Sequence, residues 1–134
     1  MSANVSKPSE SIRTALKRVR GLGSARAGTS DFFRQRMTAI AMVLLFVPVI
    51  VIIMSLLGRN QAGAAQILGS PLVAVIMILF IIASVWHMKI GMQVVLEDYI
   101  TDETIKLAAI IANNFFSVAV GLASIYAIIK LSSG

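Results

Sequence analysis

The sequence predicts an all-α membrane protein with three transmembrane helices. Two features of its composition indicate a membrane protein: 57% of its 134 residues are hydrophobic and only 13% are charged, whereas roughly a quarter of a soluble domain is charged. The third observation is a set of long uncharged runs, each able to cross a hydrocarbon core of roughly 30 Å as a helix. We expect residues 29–134 to form a three-helix membrane anchor domain after a basic, polar N-terminal tail of residues 1–28.

The first predicted span covers about residues 37–57, because no residue from Met37 to Gly58 is charged. Pro48 lies within it, and spanning helices tolerate such a proline. The stretch from Gly58 to Ser70 is rich in glycine, alanine and glutamine, and we interpret it as a loop.

The second and third spans follow this loop, at about residues 71–96 and 105–129. Pro71 suits the first turn of a helix. A short acidic loop, residues 97–104, separates the two spans. Within it, Asp102 is a possible N-terminal cap of the third helix.

Basic residues indicate the orientation of the chain. Eight of its twelve basic residues precede the first apolar run: Lys7, Arg13, Lys17, Arg18, Arg20, Arg26, Arg34 and Arg36. The positive-inside rule therefore places the N-terminus in the cytoplasm, and three spans place the C-terminus on the opposite side. The net charge of +6 is thus explained without nucleic acid. A bacterial inner membrane is favoured, although the Ser/Arg-rich tail also resembles a mitochondrial transit peptide, which would put the N-terminus in the matrix.

The sequence lacks the motifs of an independent enzyme. It contains no cysteine, so disulfides and iron–sulfur ligation within this chain are excluded. There are no clustered carboxylates for hydrolysis, no glycine-rich phosphate loop and no nucleophile–base pair. We predict a non-catalytic subunit.

His87 is the strongest candidate for a functional residue. It is the only histidine, and it lies within the second apolar run, where a titratable side chain is costly unless it is paired or bound. Ala83, Ser84 and Gly91 share its helical face, so a flat macrocycle such as haem could lie against the helix with His87 as axial ligand. The same small residues would equally serve helix–helix packing, and both interpretations stay open on this ground.

Further polar residues follow the same helix. Asp98 lies on the face of His87, about 16 Å further along the axis, and Tyr99 is its neighbour. Tyr99 is either an interfacial anchor or a hydrogen-bond donor to a carbonyl ligand. Lys89 is expected to snorkel or to face a polar pocket. A small and polar stripe predicts helix packing in the third span: Asn113, Asn114, Ser117, Gly121 and Ser124.

Two segments carry a family resemblance. The segment "SVWHMKIGMQVVLEDYI", Ser84 to Ile100, has a His-x3-Gly…Asp-Tyr pattern at the end of the second span. The segment "GLGSARAGTSDFFRQRMTAIA", Gly21 to Ala41, precedes and begins the first span. Together with the three-span topology, they resemble the hydrophobic membrane anchor subunit of succinate dehydrogenase, the smaller anchor chain of respiratory complex II.

The resemblance implies roles for four residues. His87 matches the axial ligand of a haem b iron that two anchor chains share, and Arg36 matches an arginine near the haem propionates. Tyr99 matches the tyrosine that hydrogen-bonds ubiquinone, the substrate, and Asp98 matches its acidic neighbour. The implied partners are a second, cytochrome b-type anchor subunit, an iron–sulfur subunit and a flavoprotein subunit, in the membrane lipid and without nucleic acid.

Two other functions remain as alternatives. The chain could be a small membrane transport or channel subunit in which His87 and Lys89 line a proton path, or a structural anchor without haem.

Overall fold

The computed structural model describes residues 26–134, with side chains from Thr29 onward. Phe33–Gly134 form one compact unit. Within the described residues the chain is all-helical, with α1 (Arg26–Leu56), α2 (Gln61–Leu68), α3 (Pro71–Tyr99) and α4 (Glu103–Ser132). Three of these helices, α1, α3 and α4, are long and apolar enough to cross a membrane. The predicted helical class and the three candidate spans are confirmed.

The orientation of the chain and the division into tail and anchor domain remain predictions. Residues 1–25 of the predicted tail, including the basic residues there, lie outside the described residues. The first helix already begins at Arg26, well before the predicted start of the span near residue 37. Its early turns carry charged side chains such as Asp31 and Arg34, so α1 is longer than its apolar part. The helix continues through Pro48.

The interpretation of residues 58–70 as a loop is wrong, because α2 forms there. Gly58 leaves α1 with φ +73°, a conformation that favours glycine. The side chain of Asn60 then caps α2 by accepting a hydrogen bond from the backbone N–H of Gly63 at 2.8 Å. An alanine-rich segment with such a cap has high helix propensity. At the end of α2, a Cβ on Gly69 would lie 2.5 Å from the carbonyl oxygen of Leu131, so α2 docks closely on α4.

Local signals at the ends of α3 and α4 agree with the prediction. Pro71 occupies the first turn of α3. The Asp102 carboxylate accepts from the backbone N–H of Ile105 at 2.9 Å and caps α4. Glu103 in the first turn and Lys130 in the last turn of α4 have the charges that the helix dipole favours.

Helices α3 and α4 pack against each other along what we call the α3–α4 seam: Val85 and Lys89 of α3 with Asn113, Ser117 and Gly121 of α4. Its three α4 residues are buried. A Cβ on Gly121 would lie 3.5 Å from Val85 Cγ1, and the Asn113 amide donates to the Lys89 carbonyl oxygen at 3.0 Å. Small residues permit close approach and a polar side chain adds an interhelical hydrogen bond, as in other membrane helix pairs. The predicted packing role is confirmed for these three residues of the stripe, whereas the Ser124 hydroxyl donates to the Val120 carbonyl of its own helix.

Most of the apolar surface of the long helices remains exposed. Only 11% of the most apolar stretch of each of α1, α3 and α4 is buried. Large side chains such as Val43, Leu72 and Phe115 are more than two-thirds exposed, at 71%, 73% and 74%. Apolar surface of this extent requires lipid or partner helices around it.

Candidate functional site

His87 lies in the middle of α3 and faces α1. Its side chain is half-buried. Its Nδ1 is 3.1 Å from Thr38 Oγ1, and its Nε2 is 3.5 Å from Gln35 Nε2. Gln35 and Thr38 are three residues apart, so both side chains leave the same face of α1. We call this region the α1–α3 interface: Gln35, Thr38 and Ala41 of α1 with Ala83 and His87 of α3.

Side-chain contacts of His87 with Gln35 and Thr38 link the two helices here. An apolar groove of about 520 Å³ runs between α1 and α3, and Thr38, Ala41, Leu45, Leu79, Ala83 and Trp86 are among the residues that line it. The interface therefore contains unfilled space next to Thr38 and Ala83, although His87 itself does not line the groove.

The groove lies on only one side of His87. Sequence reasoning expected small residues to clear space around His87 at both Ala83 and Gly91. At Gly91, a Cβ would lie 3.4 Å from Gln35 Nε2, so the Gln35 side chain fills that side. Ala83, 7% exposed, borders the groove. The open space is therefore towards the start of α3 from His87.

Two polar atoms near His87 lack hydrogen-bond partners. Among the described residues, Gln35 Oε1 and Ser84 Oγ are buried without one. On α4, Asn114 Oδ1 and Ser117 Oγ are likewise buried without a partner, so this feature does not distinguish the region around His87.

Arg36 extends from α1 on another side. It is exposed, and it borders a shallow groove with Ala39, Ile40, Val43 and Leu44. Two residues on a helix are separated by about 200°, so Arg36 leaves α1 nearly opposite Thr38. Arg36 is thus close to the site along the chain, on a different face of the same helix.

Asp98 and Tyr99 form the end of α3. Both are exposed, and Tyr99 is 82% exposed. They lie about three helical turns, or roughly 16–18 Å along the axis, from His87. The structure therefore separates a histidine site within the span from an acid–tyrosine pair at its end.

Lys89 lies on the other side of α3 from His87. It is half-buried and lines a groove of about 300 Å³ between α3 and α4, together with Trp86, Ser117 and Gly121. This pocket is mostly apolar, so the expectation that Lys89 faces a polar pocket is wrong, and snorkelling stays a prediction.

Sequence reasoning missed two residues of the site, Gln35 and Thr38. Both are polar residues at the start of an apolar helix, three positions apart, and that spacing was the available signal. Among the described residues no three His, Cys, Asp or Glu side chains come together. His87 is therefore a single candidate ligand.

Comparisons with known proteins agree with this architecture. Residues 10–121 match the family described as succinate dehydrogenase/fumarate reductase transmembrane subunit. The chain is 31% identical over 121 residues to the succinate dehydrogenase hydrophobic membrane anchor subunit of Paracoccus denitrificans, covering 90% of this chain and 93% of the relative. It is likewise 31% identical over 119 residues to the subunit of that name from Rickettsia bellii, covering 87% and 94%. No solved structure is significantly similar to the chain.

The family match covers most of the chain, and the two relatives are matched along nearly their whole length. Three apolar helices long enough to span a membrane are what a transmembrane subunit requires. The chain belongs to the family of succinate dehydrogenase/fumarate reductase transmembrane subunits.

Proposed function

We propose that this chain is the smaller membrane anchor of a succinate:quinone oxidoreductase, that it supplies one axial ligand of a shared haem b, and that it forms part of the ubiquinone-reduction site. The chain is not an enzyme alone. The observation that carries the haem role is the position of His87, half-buried within a span, with its ring at the α1–α3 interface. The resemblance of the two sequence segments to the anchor family supports the same assignment.

The residues around His87 fit a haem by the chemistry of their donor atoms. A neutral imidazole ligates iron through one nitrogen while the other is held by a hydrogen bond. In His87, Nδ1 has a close partner in Thr38, whereas Nε2 has only a long contact to the Gln35 amide. Bound haem b would supply a one-electron carrier within the membrane. The second axial ligand would come from the other anchor subunit, because this chain has one histidine.

Arg36 suits the propionates of the same haem. A guanidinium can pair bidentately with a carboxylate. Arg36 leaves α1 on a different face from Thr38, so the family resemblance, and not its placement beside His87, supports this role. Its exposure leaves it accessible to a group held between this chain and a partner.

Tyr99 and Asp98 suit the ubiquinone site. The Tyr99 phenol is exposed at the end of a spanning helix, at the depth where amphipathic rings are enriched. There it would donate a hydrogen bond to a quinone carbonyl, with Asp98 as its acidic neighbour. The electrons would arrive from iron–sulfur clusters of a partner subunit, since this chain contains no cysteine.

The proposed setting is a bacterial inner membrane with the N-terminus and Tyr99 on the cytoplasmic side. The partners are a flavoprotein, an iron–sulfur subunit and a second, cytochrome b-type anchor. The exposed apolar faces of α1, α3 and α4 provide the surface for the second anchor and for lipid.

A transport role has less support from the geometry. A proton path needs its titratable groups along one channel, but His87 faces α1 and Lys89 lines the groove towards α4. Liposomes that carry this chain alone should therefore show ion flux no higher than empty liposomes.

The direct test of the anchor role is purification of the tagged chain from its native membrane in mild detergent. We expect it to bring down a flavoprotein, an iron–sulfur subunit and a second hydrophobic chain, with succinate:quinone reductase activity. Recovery of the intact chain free of flavin and iron would contradict the proposal.

A further inference from the structure

The single hydroxyl of Thr38 contacts three polar atoms. Thr38 Oγ1 lies 2.9 Å from the carbonyl oxygen of Arg34, 3.0 Å from that of Gln35 and 3.1 Å from His87 Nδ1. A hydroxyl has one proton to donate and two lone pairs with which to accept. Its proton and its lone pairs must therefore be divided among these three neighbours.

The two carbonyl oxygens can only accept a hydrogen bond. A threonine hydroxyl within a helix ordinarily donates back to the carbonyl of the preceding turn, and both carbonyl distances here are shorter than the distance to His87. With its proton so used, Thr38 Oγ1 offers a lone pair to the ring. His87 Nδ1 must then carry the proton and donate it to Thr38.

The other ring nitrogen has a matching neighbour. Gln35 Nε2, an amide donor, faces His87 Nε2 at 3.5 Å. Turning the Gln35 amide over would bring its oxygen to the same place, so the Thr38 contact carries the assignment. Thr38 favours one neutral tautomer, with the proton on Nδ1 and the lone pair on Nε2.

We infer that Thr38 is a positioning residue that fixes this tautomer and so presents the Nε2 lone pair of His87 to the haem iron. The inference rests on the haem role proposed above, and it assigns a role to a residue of α1 that touches the ligand and not the iron. A hydrogen-bond acceptor at the ring nitrogen that does not bind the metal sets the tautomer and orientation of a ligating imidazole and raises its basicity.

The first test needs no haem. Because His87 is the only histidine, ¹⁵N-histidine labelling of the full chain in lipid nanodiscs gives the nitrogen signals of one imidazole. At alkaline pH we expect Nδ1 in the protonated range of ¹⁵N shifts and Nε2 in the unprotonated range. A proton found on Nε2 in the unsubstituted chain would overturn the inference, whatever any variant does.

Two substitutions separate the hydroxyl from the shape of the residue. Thr38→Val removes the acceptor with little change of volume, and Thr38→Ser keeps it. We expect Thr38→Val to give a mixture of tautomers or the Nε2–H form, and Thr38→Ser to retain the Nδ1–H form. Equal spectra for the two variants would overturn the inference.

The second test uses the assembled complex and a readout other than turnover. Loss of such a supporting hydrogen bond typically weakens metal-centre binding by about 10- to 100-fold. Thr38→Val should lower haem b affinity by about tenfold and raise the haem midpoint potential, because a less basic ligand stabilises ferric iron less. Thr38→Ser should restore both values.

Different results would contradict the haem-ligand role of His87 and the positioning role of Thr38. If His87→Ala leaves the haem coordination unchanged, the proposed ligand role is wrong, whereas the tautomer measurement still decides the Thr38–His87 hydrogen bond. If His87→Ala changes the coordination but Thr38→Val changes neither tautomer nor potential, the ligand role stands and the role of Thr38 is wrong.

Discussion

The α3–α4 seam and the α1–α3 interface join the same helix, α3, to its two neighbours in opposite ways. At the seam, a glycine and a buried serine bring the two helices close, with Ser117 only 1% exposed. At the α1–α3 interface, His87 contacts Thr38 and Gln35, and an apolar groove of about 520 Å³ remains, against about 300 Å³ beside the seam. His87 is on the side with the larger groove.

One face of α3 therefore packs for stability, and the other face carries the candidate ligand. Close packing and an interhelical hydrogen bond, the latter worth about 0.6 kcal/mol in membrane proteins, stabilise α3 against α4 without any further component. The α1–α3 interface leaves the larger groove, which another component can fill. Buried polar atoms without a partner occur on both sides, with Gln35 Oε1 at the interface and Ser117 Oγ at the seam. A helix held firmly on one side can thus present a ligand on the other.

The largest effect is expected at the α3–α4 seam. A Cβ at Gly121 would meet Val85 at an ordinary distance of 3.5 Å, so Gly121→Ala should be tolerated. Gly121→Leu adds atoms where the helices are already in contact, and overpacking costs about 1–3 kcal/mol. We expect about a tenfold loss of assembled protein for the leucine variant, measured by quantitative blotting of membranes. Equal loss for alanine and leucine would show that the seam is not limited by packing.

The next effect is expected at Tyr99, which lies beyond both packing regions. Tyr99→Phe removes one hydrogen bond, of about 1 kcal/mol, and should lower quinone reductase activity by several-fold. Succinate oxidation with an artificial dye acceptor should be unchanged. Tyr126→Phe, at an exposed tyrosine on α4, is the matched control. A parallel fall of both activities would make Tyr99 a structural residue.

A smaller effect is expected when the groove of the α1–α3 interface is filled. Ala41→Leu adds volume to the groove lining without forcing backbones apart, so the protein should assemble. Haem b content, read from the pyridine haemochrome spectrum, should fall by no more than about twofold, because the groove borders the Thr38 side of His87 and not its Nε2. Ala119→Leu, on the exposed surface of α4, should leave it unchanged. If Ala41→Leu instead prevented assembly, the two regions would not differ as described.

The smallest effect is expected at Gly91. Its added Cβ would meet only the end of the flexible Gln35 side chain, at 3.4 Å. Gly91→Ala should therefore change assembly and haem content by less than about twofold. The higher helix propensity of alanine partly offsets the cost of the added contact with Gln35. A severe defect would indicate that Gln35 cannot move and that this side of His87 is rigid.

Local signals in the sequence predicted most of the fold. Uncharged runs marked the spans, and Pro71 and Asp102 marked helix starts because their effects act within one turn. The same reasoning failed at α2, where the Asn60 cap and the close approach of Gly69 to α4 stabilise a short helix that composition alone did not indicate.

The candidate site was likewise predictable from the sequence only in part. His87 was recognisable because a lone titratable residue in a span is conspicuous. Its partners Gln35 and Thr38 were not, because they are 52 and 49 residues away in sequence. Only the arrangement of α1 against α3 shows which polar residues reach the ring and which side of His87 is open.

The central claim is that His87 ligates haem iron at the α1–α3 interface. The most direct measurement is the low-temperature EPR spectrum of the oxidised complex purified with His87→Ala, beside the unsubstituted complex and a Val94→Ala control on the same helix. We predict a low-spin signal of two axial ligands in the unsubstituted and Val94→Ala complexes, and its loss or conversion to high spin with His87→Ala. An unchanged low-spin signal at unchanged haem content in the His87→Ala complex would contradict the claim.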